Sequence, residues 1–405
     1  MVVRTGADPA STGPVAYRPF DPDTHLDPYP AYRRLREEDP VHRTLHGYWV
    51  LSRFGDVFNA ASDGATYSSA QGLTFEQDEI TALGLKPTLV MMDRPRHTTF
   101  RRLISRGFTP RSVAGLESAV RAFARTGLME LADSDDGDFC AAVAGPLPTF
   151  VVATYLGVPE SDRSQFGTWS NAIVQANAAG STLGHAADAI GGLYGYFAEL
   201  VEWRRRHPGE DMLSDLVHAQ VDGRPLDLEE ILGFCFVLIA GGNDTASGLL
   251  GGTAVALTKY REQRRVLLEG RVGLAGAIDE LLRFTSPVQG LSRTTTRRVD
   301  LHGRSIPGGS KVHLLYGSAN RDPREFGATA EDLDLGRSFR RFVTFGGGPH
   351  HCIGAAAARL QGRVVVEELL HLMPDFEADV GGGRLAPGPF VRRYEFLPMS
   401  AGPRT

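Results

Sequence analysis

Residues 227–260, "DLEEILGFCFVLIAGGNDTASGLLGGTAVALTKY", constrain the fold more than any other stretch. Asp227 is a plausible N-cap, and Glu230 three residues on completes a capping-box pattern. The helix can run to about residue 259, and at 1.5 Å per residue some 32 residues would span about 48 Å. Its first half is apolar nearly all round, which places it through the middle of the protein. Gly241 and Gly242 interrupt the run and weaken the helix by roughly 1 kcal/mol each relative to alanine. Asn243, Asp244 and Thr245 follow at once. A polar trio on a buried helix is costly unless it is partnered or has chemistry to perform. Local hydrogen bonding at a glycine-lightened helix crossing and a functional site both remain open at this point.

The rest of the chain reads as mainly α with small β-sheets. A helix begins in 28–44 and stops at Pro40; "YWVLSRF" (48–54) alternates like a strand. Helical patterns cover 95–107, 110–133, 141–156, 160–178 and 185–207, and strand-like pieces return at 298–306, 311–315 and near the C-terminus. There are no repeats and no linker, so one domain is expected over 16–405, after a poorly ordered segment 1–15. The formal net charge of −5 argues against a general nucleic-acid binder. Three cysteines in 405 residues do not make a disulfide framework, and the N-terminus lacks an apolar core of the secretory kind, so a cytoplasmic protein is expected. The longest apolar run, 231–240, is about half of what a membrane span needs.

The stretch "FGGGPHHCIG" (345–354) sets Cys352 among glycines, a proline and two histidines. A structural zinc site wants four ligands, commonly in paired cysteine spacings, and Cys352 has no neighbouring cysteine. A nucleophilic cysteine wants a base and a third orienting group; His350 or His351 would serve as base, but the glycines go unexplained. A structural cysteine is normally set in apolar surroundings, which the preceding loop lacks. A haem-thiolate accounts for more of the pattern. Close approach to the iron favours a thin glycine loop, loop N–H groups tune the sulfur, and a helix start after the cysteine favours an anion.

The decapeptide resembles the cysteine loop F-G-x-G-x-H-x-C-x-G of the cytochrome P450 family, with Phe345, Gly346, Gly348, His350, Cys352 and Gly354 in place. Other stretches resemble the family in the right order: "RPRHTTFRRLISRGFTP" (94–110), "GGNDT" (241–245), "ELLR" (280–283), "SANRDPREFG" and "DLDLGR". The resemblance implies the cytochrome P450 fold, a single domain with a long helix over the haem, and a haem b held by the Cys352 thiolate. It implies that His97, Arg101, Arg293 and His350 hold the haem carboxylates, with Phe345 and Gly354 beside the sulfur. Glu280, Arg283 and Arg337 would form a buried structural triad. Asp244 and Thr245 would be the acid–alcohol pair that relays protons from water, Ala246 standing where a second threonine is usual.

The implied activity is insertion of one atom of O2 into a lipophilic small molecule, in biosynthetic tailoring or catabolism. The chain carries no flavin or iron–sulfur motif, so its electrons would come from separate proteins, a ferredoxin and its reductase. "SFRRF" (338–342) offers Arg340 and Arg341 as a docking patch, or an ordinary solvated charge run. By position in the family pattern, the substrate pocket draws on 70–92, parts of 165–200, Leu73, Phe75, Ile239, Ala240, Val288, Gln289, Leu291, Phe390 and Val391, with Gln289 offering an orienting hydrogen bond. The alternatives on the same scaffold are oxidative coupling, desaturation, a peroxide-driven oxidation, or a haem sensor without turnover.

Overall fold

The computed structural model describes residues 15–75, 86–134, 137–178 and 187–402, with the backbone alone for 174–178. The segment 1–15 expected to be poorly ordered lies almost wholly outside the described residues, as do parts of 70–92 and 165–200.

The central helix runs unbroken from Leu228 to Lys259 through both glycine pairs. At its start Asp227 accepts the Glu230 N–H at 2.8 Å, and the Glu230 carboxylate accepts the Asp227 N–H at 3.1 Å, so the capping box forms as read. By length and composition this helix would cross a membrane, but its most apolar window is 61% buried inside the protein, as befits a core helix. Ile231, Leu232, Phe234, Cys235 and Ile239 enter one hydrophobic core, whereas Leu249, Leu250, Ala254, Ala256 and Leu257 enter another. The Gly241–Thr245 stretch falls between the two cores: Gly241 is open, whereas a Cβ on Gly242 would lie 2.8 Å from Val152. At Gly248 a Cβ would lie 2.6 Å from the Arg392 carbonyl oxygen, so only glycine lets the C-terminal segment press against the helix.

Several helices differ from their expected bounds for local reasons. The 110–133 pattern splits into Pro110–Ala114 and Glu117–Ala132 around Gly115. The 141–156 pattern is a π-turn, Cys140–Ala144, leading into Pro146–Tyr155; Pro146 has no N–H to continue the regular ladder. The 95–107 pattern becomes Arg96–Ser105 followed by a tighter turn, and 185–207 becomes Ala187–Arg206. The first helix of 28–44 covers Tyr29–Glu38 and ends before Pro40.

A five-stranded sheet orders Val41–Arg43, Trp49–Leu51, Lys311–Leu314, Leu291–Thr295 and Tyr67–Ser68. Val312 pairs with Trp49 in parallel and with Arg293 antiparallel. This sheet presents Arg293 toward the loop that carries Cys352, through the contacts given next. The 298–306 piece is a hairpin, Val299–Leu301 with Arg304–Ile306. Near the C-terminus, Arg384–Leu385 pairs with Tyr394–Phe396, and Val391 bridges to Val288.

Candidate active site

The loop before Cys352 is shaped by backbone that only glycine adopts readily. Gly346 and Gly348 have φ of 66° and 57°, and a Cβ on Gly348 would stand 2.6 Å from the Ser62 Cα. The loop closes on itself where the Cys352 N–H donates to the Phe345 carbonyl at 2.9 Å. The following helix, Ala355–Leu372, has Gly354 as its N-cap, so Cys352 sits two residues outside it and not at its start. The helix end therefore reaches the sulfur through the Gly354 N–H. Cys352 is exposed, yet burial is the largest influence on its thiol, which is raised above its ordinary pKa; Gly354 N–H, Arg101 and Arg359 pull the other way. Next to Cys352, Ile353 packs on the core that contains Ile239 of the central helix. Phe345 is covered by the Arg359 guanidinium 4.8 Å from its ring centre.

Four nitrogen-bearing side chains converge beside this loop. His97 and His350 face each other with ring centroids 4.2 Å apart. His350 is pushed down to about 3, first by burial and then by Arg293, His97 and Arg101. His97 is lowered by burial, Arg101 and Arg94, with Asp93 opposing. Arg101 donates to the His351 carbonyl, and Arg293 donates to the Ser292 carbonyl at 2.8 Å. Neither arginine has an acidic ion-pair partner among the described residues, and the buried His97 Nε2 has no hydrogen-bond partner. Such a cluster of donors without a counter-charge fits a ligand bearing carboxylates beside a thiolate-bound metal, which is what a haem presents.

On the central helix, Gly241 is exposed, with no heavy atom within 4 Å of where a Cβ would stand. The Thr245 hydroxyl donates to the Gly241 carbonyl at 2.8 Å. Asp244 is buried and ion-paired with Arg393. Burial raises its carboxyl above the ordinary range, and Arg393 opposes that. Asn243 is buried with neither amide atom bonded.

Glu280 and Arg283 have no exposed side-chain surface and form two hydrogen bonds, of 2.6 and 2.7 Å. Arg337 donates to the same carboxylate at 3.2 Å. Arg283 also donates to the carbonyls of Asn320 and Ala330, at 2.6 and 2.8 Å. The Asn320 side chain in turn accepts the Val343 N–H and donates to the Thr344 hydroxyl, both at 2.8 Å. The ion pair is thus two residues of contact away from Phe345.

The proposed pocket residues divide. Phe75 and Phe390 pack with ring centroids 4.7 Å apart, and Leu73, Ala240, Val288, Leu291 and Val391 are each partly exposed. Two depart from expectation. Ile239 is fully buried in a packed core, because it lies on the face of the helix opposite the Gly241 opening. Gln289 is buried, its amide oxygen accepts from the Tyr32 hydroxyl at 2.9 Å and its amide nitrogen donates to the Ser286 carbonyl at 2.7 Å, so these two bonds fix its orientation from the protein side. Val237, one turn before Gly241 on the same helix face, is partly exposed. In the expected docking patch both arginines are exposed, but Arg341 is paired with Glu325 at 2.9 and 3.0 Å, which leaves Arg340 as the charge without an ion-pair partner among the described residues.

Arg393 and Asn320 were missed. The adjacent arginines 392–393 inside the apolar run "PFVRRYEF" were the available signal for the first. Asn320 lies in "SANRDP", where no local pattern encodes the bonds its amide makes.

Residues 274–378 match the family model described as Cytochrome P450. The chain is 48% identical to the protein named Cytochrome P450 130 of Mycobacterium tuberculosis, over 93% of this chain and 96% of the relative. Among solved structures it is similar to the Bacillus subtilis bacillaene polyketide synthase cytochrome P450 PksS, with a TM-score of 0.87, 31% identity, and coverage of 96% of this chain and 100% of that one. A Mycobacterium marinum cytochrome P450 in complex with pseudoionone gives a TM-score of 0.85 at 31% identity, covering 96% and 100%.

Proposed function

The chain belongs to the cytochrome P450 family of haem-thiolate monooxygenases, and on that premise we propose that it inserts one atom of O2 into a lipophilic small molecule with two electrons delivered by a ferredoxin and its reductase. The observation that carries the oxygen-inserting reading is the Asp244–Thr245 step at the exposed Gly241, with the hydroxyl 2.8 Å from that residue's carbonyl. A carboxyl and an alcohol side by side at an opening in a buried helix suit proton transfer from water to a reacting oxygen.

A haem held through the Cys352 sulfur would supply the redox chemistry that activates O2. His97, Arg101, Arg293 and His350 would hold its carboxylates, as the lack of an acidic partner for the two arginines among the described residues favours. Phe345 and the Gly354 N–H shield and polarise the sulfur. Glu280, Arg283 and Arg337 keep the loop in place through Asn320. Leu73, Phe75, Val237, Ala240, Val288, Leu291, Phe390 and Val391 form an apolar wall that excludes water and orients the substrate by shape. Relatives include PksS, named for polyketide biosynthesis, and a Pseudonocardia autotrophica vitamin D(3) 25-hydroxylase, which supports a bulky apolar substrate and a tailoring role. A cytoplasmic setting is part of the same proposal, supported by three cysteines that form no disulfide.

The dithionite-reduced protein with carbon monoxide is expected to show the strongly red-shifted Soret band of a thiolate ligand, lost on Cys352→Ala. Turnover under isotopic O2 is then expected to label the product. In Thr245→Ala, electron consumption continues while product per electron falls about tenfold or more and peroxide rises. An unlabelled product would transfer the assignment to coupling or desaturation, and tightly coupled Thr245→Ala turnover would remove the relay.

A further inference from the structure

Asp244 is the buried acid of the proposed proton path, and its one ion-pair partner among the described residues, Arg393, arrives from the far end of the chain. Both are nearly inaccessible, at 4% and 7% exposure. We infer that Arg393 is the positioning residue of Asp244, fixing the orientation of its carboxyl and favouring the ionised form from which it takes up a proton; the catalytic consequence rests on the oxygen-inserting reading above.

The backbone around Arg393 is fixed on every side. Its carbonyl accepts the Ala386 N–H at 2.9 Å, and the Arg392 N–H donates to the Pro287 carbonyl at 2.7 Å. The Arg392 guanidinium donates to the carbonyls of His25 and Leu26. Gly248 lets this segment lie directly on the central helix, one turn beyond Asp244. The guanidinium is therefore delivered to the carboxylate by a rigid scaffold, which is what a positioning group requires. The charges around the pair are few. Cys140, on the π-turn, has its thiol pushed up to about 12, first by burial and then by Asp138 and Glu395, while Arg393 pulls it down. Among the described residues, Arg393 is the one charge that acts on Asp244. A buried carboxylate deprived of its cation takes a proton and keeps it, because desolvation is then unopposed. A permanently protonated Asp244 would donate once and recover slowly.

The test reads the carboxyl directly in the haem-loaded protein. The infrared band of the protonated Asp244 carboxyl, identified by its loss in Asp244→Asn, is followed against pH in the wild type, Arg393→Gln and Arg393→Lys. The expected result is that the band persists to about one pH unit higher or more in Arg393→Gln, and that lysine returns it toward the wild-type midpoint. Equal midpoints in wild type and Arg393→Gln would overturn the inference, whatever turnover does. A shifted band with unchanged product per electron keeps Arg393 in its role and removes Asp244 from proton delivery instead. Should Arg393→Gln fold poorly, the double variant Asp244→Asn/Arg393→Gln is expected to be the more stable of the two, since a neutral amide replaces the carboxyl that lost its cation. No recovery in the double variant overturns the inference as well.

Discussion

The Arg283 guanidinium meets the Glu280 carboxylate edge to edge, through hydrogen bonds of 2.6 and 2.7 Å, with no water-accessible surface on either side chain. Three backbone carbonyls, of Asn320, Ala330 and Asp332, complete the guanidinium's set of acceptors. Removing one partner of such a pair strands the other in low dielectric and costs roughly 3–5 kcal/mol. Glu280→Ala is therefore expected to yield little haem-loaded protein, read as the Soret-to-280 nm absorbance ratio and as the midpoint of urea unfolding. Normal loading would remove the triad from its supporting role.

Gly348 tests the cysteine loop without touching the sulfur. Alanine there must adopt a φ near 57° and place a Cβ 2.6 Å from the Ser62 Cα. The left-handed backbone alone costs roughly 1–2 kcal/mol, and the clash adds to it. The expected outcome is a carbon monoxide complex whose band moves, wholly or in part, to the position of a protonated sulfur. An unaltered spectrum would show that the loop tolerates displacement.

His313 gives a pH signature far from the thiol. It is fully buried beside Phe75 at 4.8 Å, and burial lowers its pKa from 6.5 to about 3. The native ring is neutral, so the unfolded chain binds the proton first as pH falls. Its contribution to stability is full above about 6.5 and is lost progressively toward about 3. Between pH 7 and pH 5 this amounts to about 2 kcal/mol. His313→Gln should show a shallower acid slope in urea denaturation by that amount; parallel slopes would mean the ring gains its proton without unfolding.

Arg340 is exposed in the 338–342 stretch, whereas Arg341 is held by Glu325. Arg340→Glu is expected to slow reduction by an acidic ferredoxin several-fold at low salt, with the difference fading as ionic strength rises. Arg341→Glu would instead break the Glu325 pair, so stopped-flow reduction rates of Arg340→Glu are the cleaner measure. A rate that does not change retires the patch.

Residues whose chemistry depends on local pattern were legible without coordinates. The capping box at Asp227 and Glu230, the glycine loop before Cys352 and the Glu280–Arg283 spacing each involve neighbours a few positions apart, where one turn or one helix face decides geometry. Arg393 was not legible, because 149 positions separate it from Asp244 and nothing in either segment encodes the pairing. Gln289 and Ile239 were misplaced for a related reason. Being near a site in the chain did not settle which side of the backbone faced it, and in both residues the side chain is spent on Tyr32 and Ser286 or on the core.

The segment that places Phe390 and Val391 also carries Arg393, and it is bound tightly to the central helix at Gly248. Substrate range and proton supply therefore share one piece of backbone. Engineering this enzyme for new molecules by changing positions 390 or 391 should be expected to alter how much reductant is wasted as peroxide. Screens scored on binding alone would select variants that hold a compound well and oxidise it poorly.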